Sequence, residues 1–155
     1  MKLSKIILFF IGFVFLTACN NDEEINPSSR EEQDQILQDY FTKNNISPQK
    51  TSSGLYYVID EQGTSIQTGE RIQVNYEGKL LSGKIFDSSF KRGQPFSFNV
   101  GTKQVIPGWD EGIPLIGKGG KGTLYLPSHL GYGSRGAGND ITPYSILIFR
   151  VEVLD

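Results

Sequence analysis

Hydrophobic spacing divides the chain into four stretches. Residues 6–16 form one unbroken apolar run behind Lys2 and Lys5, too short to span a bilayer, which takes about 20 residues. Over 20–29 no apolar periodicity remains, and Asp22, Glu23, Glu24 and Pro27 give the composition of a solvated tether. Ser29 followed by Glu32 is a capping-box pattern, so a helix is predicted over 30–43, closed by Asn44, Asn45 and Pro48. Ile36, Leu37, Tyr40 and Phe41 fall on one narrow face of it, a stripe that suits packing on the parent domain or a dimer contact.

From Gly54 onward the period falls to two. The run 55–59 is apolar. Ile72, Val74 and Tyr76 alternate with Gln73, Asn75 and Glu77, as in a half-buried strand. Ser82 and Gly83 turn the chain into Ile85 and Phe86; Phe96, Phe98 and Val100 alternate again; 122–126 and 146–153 complete the set. The last is long and apolar enough to lie centrally in a sheet. One short helix is predicted over 109–115, after the turn residues Pro107 and Gly108. Five or six antiparallel strands with one internal helix make an α+β fold, its sheet curled over that helix.

Composition narrows what such a domain does. Aromatic residues make up 12% of the chain, and the one tryptophan, Trp109, opens the internal helix. No acid–base–nucleophile trio accompanies them, so the chain is read as built to hold something apolar. A net charge of −2 argues against nucleic acid, whose phosphates need a basic surface. A single Cys excludes an internal disulfide, and a single His, His129, leaves no basis for a His-based metal site or triad. No cofactor or metal is expected, and His129 is read as a solvated loop residue.

At the N-terminus the basic residues and the apolar run have the form of an export signal, and Leu16-Thr17-Ala18-Cys19 resembles the lipobox of bacterial lipoproteins. The resemblance implies cleavage before Cys19 and acylation of its thiol, which places the chain in the cell envelope on a lipid anchor, the outer membrane being the expected site. Two or more acyl chains hold such an anchor stably, at about 0.8 kcal/mol per buried CH₂. The acidic run after Cys19 fits both a surface-export signal and a plain tether, so the anchor faces either the periplasm or the cell surface. The expected organisation is a signal peptide over 1–18, an acidic tether over 19–29, a helical segment over 30–52 and a domain over 53–155, as a monomer.

Six motifs then occur in order: Val74-Asn75-Tyr76-Glu77-Gly78, Gly83-Lys84-Ile85-Phe86-Asp87-Ser88-Ser89, Gln94-Pro95-Phe96-Ser97-Phe98, Val105-Ile106-Pro107-Gly108-Trp109, Leu130-Gly131-Tyr132-Gly133, and Leu147 to Leu154. Together they resemble the FKBP-type peptidyl-prolyl isomerases over about two thirds of the chain. The resemblance implies a pocket with Tyr76, Asp87, Tyr132 and Phe149 at catalytic positions. It implies substrate contacts from Phe86, Phe96, Val105, Ile106, Trp109 and Ile141, with Val105 and Ile106 offering backbone groups. Trp109 becomes the floor under a proline ring, Asp87 a partner that orients Tyr76, and Tyr132 a donor to a substrate carbonyl. Read without the family, Asp87 before Ser88-Ser89 is equally a turn former or a cap, and Phe98 is core. Residues 131–143 are expected to form a flexible flap over the pocket, with Arg135, Asn139, Asp140 and the stretch 141–144 departing from the family's more proline-rich turn. The implied clients are proline-containing segments of exported polypeptides. Alternatives are a binding module for such segments with little turnover, and a lipoprotein docking a membrane machine through its N-terminal helix.

Overall fold

A computed structural model describes residues 28–154, so the signal peptide, the lipobox with Cys19, and the tether up to Pro27 lie outside the described residues. The elements are, in order, α1 (Arg30–Asn44), β1 (Gln49–Lys50), β2 (Tyr56–Glu61), β3 (Arg71–Leu80), β4 (Ile85–Ser88), α2 (Ser89–Arg92), β5 (Phe96–Asn99), α3 (Pro107–Ile116), β6 (Lys121–Leu126) and β7 (Leu147–Val153), of which β1 and α2 are not among those expected. Short 3₁₀ turns at Ser128–Leu130 and Gly133–Arg135 follow β6.

The strands make one antiparallel, unclosed sheet in the order β1-β2-β6-β7-β3-β4, with β5 also on β3. The count is seven rather than five or six, because the two-residue β1 pairs with Tyr56 and Tyr57 of β2. The sheet therefore begins inside the 30–52 segment, and the expected boundary at 52/53 falls between its first two strands. On its inner edge β3 pairs β7 from Val74 to Leu80. Its outer edge is divided: β5 takes Arg71 to Val74 and β4 takes Glu77 to Lys79. That division wraps β4, α2 and β5 around one end of the sheet.

Two apolar clusters cover the two faces of the sheet, and strand alternation sorts the residues between them. Leu124 and Leu126 of β6, with Leu147, Phe149 and Val151 of β7, face α3 and its Trp109, Ile113 and Ile116. Tyr125 and Ile148 face the other way, onto Leu37 and Phe41 of α1. This explains the long apolar run of β7: both its faces are covered at the start, whereas Arg150 is exposed further on. The approach of α3 is close. A Cβ at Gly112 would lie 2.7 Å from Leu124, and one at Gly108 would lie 2.5 Å from Leu126.

Helix α1 begins on the predicted capping box, both halves of which form. Its stripe is turned onto its own domain, where Leu37 and Phe41 are buried. That is the first of the two roles expected of the stripe, packing on the parent domain. The stripe also includes a buried polar residue that hydrophobicity does not mark, Gln33.

Candidate active site

The pocket starts from the period-two alternation of β3. Ile72, Val74 and Tyr76 point to the covered face, and Tyr76 is 6% exposed. Phe149 arrives from β7, where it pairs opposite Gly78. Trp109 enters from the first turn of α3, which the extended Ile106 and Pro107 set up; its N–H donates to the Ile106 carbonyl at 2.9 Å. Pro suits a first helical turn because its missing N–H and fixed φ cost nothing there.

Trp109 is the hub of the rings. Tyr76 and Phe149 stand nearly perpendicular to the indole, at 84° and 82°, with centroids 4.9 and 5.2 Å away. Phe96 meets it at 72° and 6.0 Å. Phe86 closes the far side against Phe149 at 5.6 Å and 83°. Edge-to-face contacts of this kind fix ring orientation, at about 0.5–1.5 kcal/mol per pair beyond area burial. The result is a flat base with upright walls around a cavity of about 420 Å³, lined by Tyr76, Phe86, Asp87, Phe96, Gln104, Val105, Ile106, Trp109, Tyr132 and Phe149. The indole Nε1 is buried with no hydrogen-bond partner among the described residues.

Polar groups sit on the rim. The Tyr76 hydroxyl donates to Asp87 Oδ2, Arg92 pairs with Asp87 Oδ1, and Arg92 also donates to the Tyr76 hydroxyl at 3.0 Å. Burial, and then the bond to Asp87, push the Tyr76 phenol up against the opposing pull of Arg92, so it remains a protonated donor. Burial, helped by the charge of Asp87, also pushes Tyr132 up. Asp87 caps nothing: α2 is capped by Ser88, whose side chain accepts from the Lys91 N–H. The carboxylate is free to hold Tyr76.

Nine of the ten pocket residues expected from the sequence line this one cavity. Ile141 is not among the lining residues; it is buried in the core cluster that also contains Tyr76, Trp109 and Phe149, and its backbone bridges Ala137 within the 131–143 loop. The carbonyl of Ile106 already accepts from Trp109 and Asp110, so what this residue offers a peptide is its N–H. Phe98 is core, as expected. His129 is not a solvated residue. It is half-buried, and its Nε2 bonds the Ser53 carbonyl at 2.9 Å. Two residues escaped the sequence reading. Gln104, beside Val105, carries no distinctive chemistry in the sequence, and its side-chain Oε1 accepts from the Asn99 N–H at 2.9 Å. Arg92 carries a signal only in hindsight, as the last residue of the one-turn helix that Ser88 caps.

A family profile described as FKBP-type peptidyl-prolyl cis-trans isomerase matches residues 62–154. A probable FKBP-type peptidyl-prolyl cis-trans isomerase of Haemophilus influenzae is 44% identical over 135 residues, 86% of this chain and 54% of that protein. FK506-binding protein 2 of Dictyostelium discoideum is 44% identical over 68% of this chain and 79% of its own. Among solved structures, FkpA from Escherichia coli superposes with a TM-score of 0.72 at 39% identity, covering 85% of this chain and 61% of that one. AtFKBP13 superposes with a TM-score of 0.65 at 40% identity, covering 69% of this chain and 96% of its own. The chain spans about half the length of several curated bacterial relatives, at 54%, 42% and 46%. By profile, identity and fold alike, the chain belongs to the FKBP-type peptidyl-prolyl cis-trans isomerase family.

Proposed function

We propose that this chain accelerates cis–trans isomerisation of X–Pro bonds in exported polypeptides, through the aromatic pocket centred on Trp109. The observation that carries the reading is the pair of rings standing at 84° and 82° on a buried indole, which leaves a slot suited to one flat, saturated ring. Amide resonance sets a barrier of about 18–20 kcal/mol to rotation about an X–Pro bond. The twisted transition state has lost conjugation and is less charge-separated than the planar amide. A dry aromatic enclosure therefore binds the twisted form better, which is differential binding without proton transfer. Each tenfold acceleration takes about 1.4 kcal/mol of that preference.

In this mechanism Trp109 lies under the pyrrolidine ring, and Tyr76, Phe86, Phe96 and Phe149 hold it from the sides. The Ile106 N–H and the Tyr132 hydroxyl donate to substrate carbonyls. Asp87 and Arg92 fix the Tyr76 ring through its hydroxyl. We further propose that Cys19 carries the lipid anchor of an envelope lipoprotein, on the strength of Leu16-Thr17-Ala18-Cys19 behind the basic and apolar leader. Uncatalysed isomerisation takes tens to hundreds of seconds, slow enough to limit folding after export. Exchange spectroscopy on a short X–Pro peptide with the full chain in detergent tests the activity. Acceleration that Phe149→Ala removes supports catalysis; suppression of client aggregation that survives Phe149→Ala, without acceleration by the parent chain, supports the binding-module alternative. Loss of the membrane fraction in Cys19→Ser cells tests the anchor.

A further inference from the structure

Gln33 is 1% exposed on the face of α1 that otherwise buries Leu37 and Phe41. A leucine would fill that position without the cost of burying an amide, so its hydrogen bonds are the reason for a polar group there. They run to the two roots of one loop. Gln33 Oε1 accepts from the Ser128 N–H at 2.6 Å, and Nε2 donates to Ser128 Oγ at 2.8 Å and to the Tyr144 carbonyl at 3.4 Å. Ser128 precedes the Tyr132 loop and Tyr144 ends it.

Both roots pass the restraint inward. The Ser128 carbonyl accepts from the Gly131 N–H at 2.9 Å, and the Tyr144 N–H donates to the Gly133 carbonyl at 2.9 Å. Tyr132 therefore sits between two backbone bonds whose outer partners are held by the same amide. Tyr144 pays for this with a left-handed backbone, φ 61°, which a non-glycine residue keeps only where its surroundings fix it. Helix α1 lies wholly before residue 62, where the family match begins.

We infer that Gln33, on a helix outside the matched family span, is a positioning residue for Tyr132 at the mouth of the pocket. This rests on the isomerase reading proposed above. Through Gln33 the N-terminal helix acts on the active-site loop as well as covering the back of the sheet.

The test is Gln33→Met in the full chain, alone and combined with Tyr132→Phe. Exchange spectroscopy on an X–Pro peptide gives kcat/KM, and amide hydrogen exchange reports the loop. The expected result is a fall in kcat/KM of about fivefold, the weight of one hydrogen bond. Amide exchange at Gly131 and Tyr144 should speed up by about tenfold, with Leu124 and Val151 in the sheet unchanged. In the Tyr132→Phe background the same substitution should cost less than about twofold, because the two residues act through one path. An unchanged kcat/KM, an equal cost in both backgrounds, or undisturbed exchange at the loop roots overturns the inference. If Gln33→Met does not fold, Ser128→Ala carries the test with the same expected direction; it removes the Oγ that accepts from Gln33 Nε2. A parent chain without isomerase activity overturns the functional reading instead, and loop exchange then decides whether Gln33 holds the Tyr132 loop.

Discussion

Gly78→Ala adds one methyl group to β3 at the point where β4 and β7 bring their pocket rings together. Gly78 pairs with Asp87 on one side and Phe149 on the other, next to a register shift against β4, and its φ is not positive, so alanine suits its backbone. The difficulty is space: a Cβ there would lie 2.6 Å from Phe86 Cε2 and Cζ, and 2.8 Å from Phe149 Cε1. To reach the 3.4 Å of ordinary contact the two rings must retreat by about 0.8 and 0.6 Å, toward the cavity they wall. Overpacking of this size costs about 1–3 kcal/mol, equivalent to a fall in Tm of about 3 to 10 °C. The effect on catalysis is larger in proportion, because displacing reacting geometry by about 1 Å costs as much as a hundredfold. Exchange spectroscopy on an X–Pro peptide should therefore show kcat/KM falling by about ten- to a hundredfold in a protein that still unfolds cooperatively. Full activity in a folded Gly78→Ala chain would refute the argument that the upright rings make the catalyst.

Two further perturbations separate the polar rim from the back of the sheet. Arg92→Met removes an exposed pair partner, so stability should change by no more than about 1 kcal/mol, whereas kcat/KM should fall by about fivefold as the Tyr76 hydroxyl loses one of its two restraints; urea midpoints and exchange kinetics measured together check the split, and a large stability loss with intact turnover would contradict it. Burial pushes the Tyr125 phenol, 6% exposed beneath α1, up to about 12, with Tyr40 and Asp60 adding to the shift. Its contribution is complete below the unfolded value of about 10 and is lost as pH rises toward 12, worth about 2–3 kcal/mol. Urea midpoints between pH 9 and 12 should fall more steeply for the parent chain than for Tyr125→Phe, and parallel curves would rule out this origin.

Most of the sheet was legible because its strands carry either a period-two alternation or a short apolar run covered on both faces. Ile72, Val74 and Tyr76 show the alternation plainly, and β7 announced its central place by having apolar residues on both faces. β1 was not legible. Gln49 and Lys50 are both exposed, and they form a strand only because β2 offers an edge. The ordered motifs brought nine pocket residues to one cavity, since each motif fixes one wall. Ile141 also turns inward, into the core cluster it shares with Tyr76, Trp109 and Phe149, and a motif does not mark whether such a residue stops at the core or reaches the cavity wall. Gln33, Gln104 and Arg92 were invisible for another reason: an ordinary polar side chain carries no mark of its partner, whether that partner lies 95 residues away, as Ser128 does from Gln33, or five, as Asn99 does from Gln104 and Asp87 from Arg92. His129 was misread on the same ground, its partner being the Ser53 carbonyl 76 residues away.

In the proposed mechanism a rigid aromatic slot on Trp109 accelerates X–Pro rotation without an acid, a base or a nucleophile. Cis–trans exchange rates of a short X–Pro peptide, measured with catalytic amounts of the full chain from pH 6 to pH 9, test it most directly. Exchange should be accelerated severalfold or more and kcat/KM should be flat across that range, because Tyr76 and Tyr132 are pushed above their ordinary values and stay protonated. Absence of acceleration, or a kcat/KM that follows a titration within that range, would contradict it.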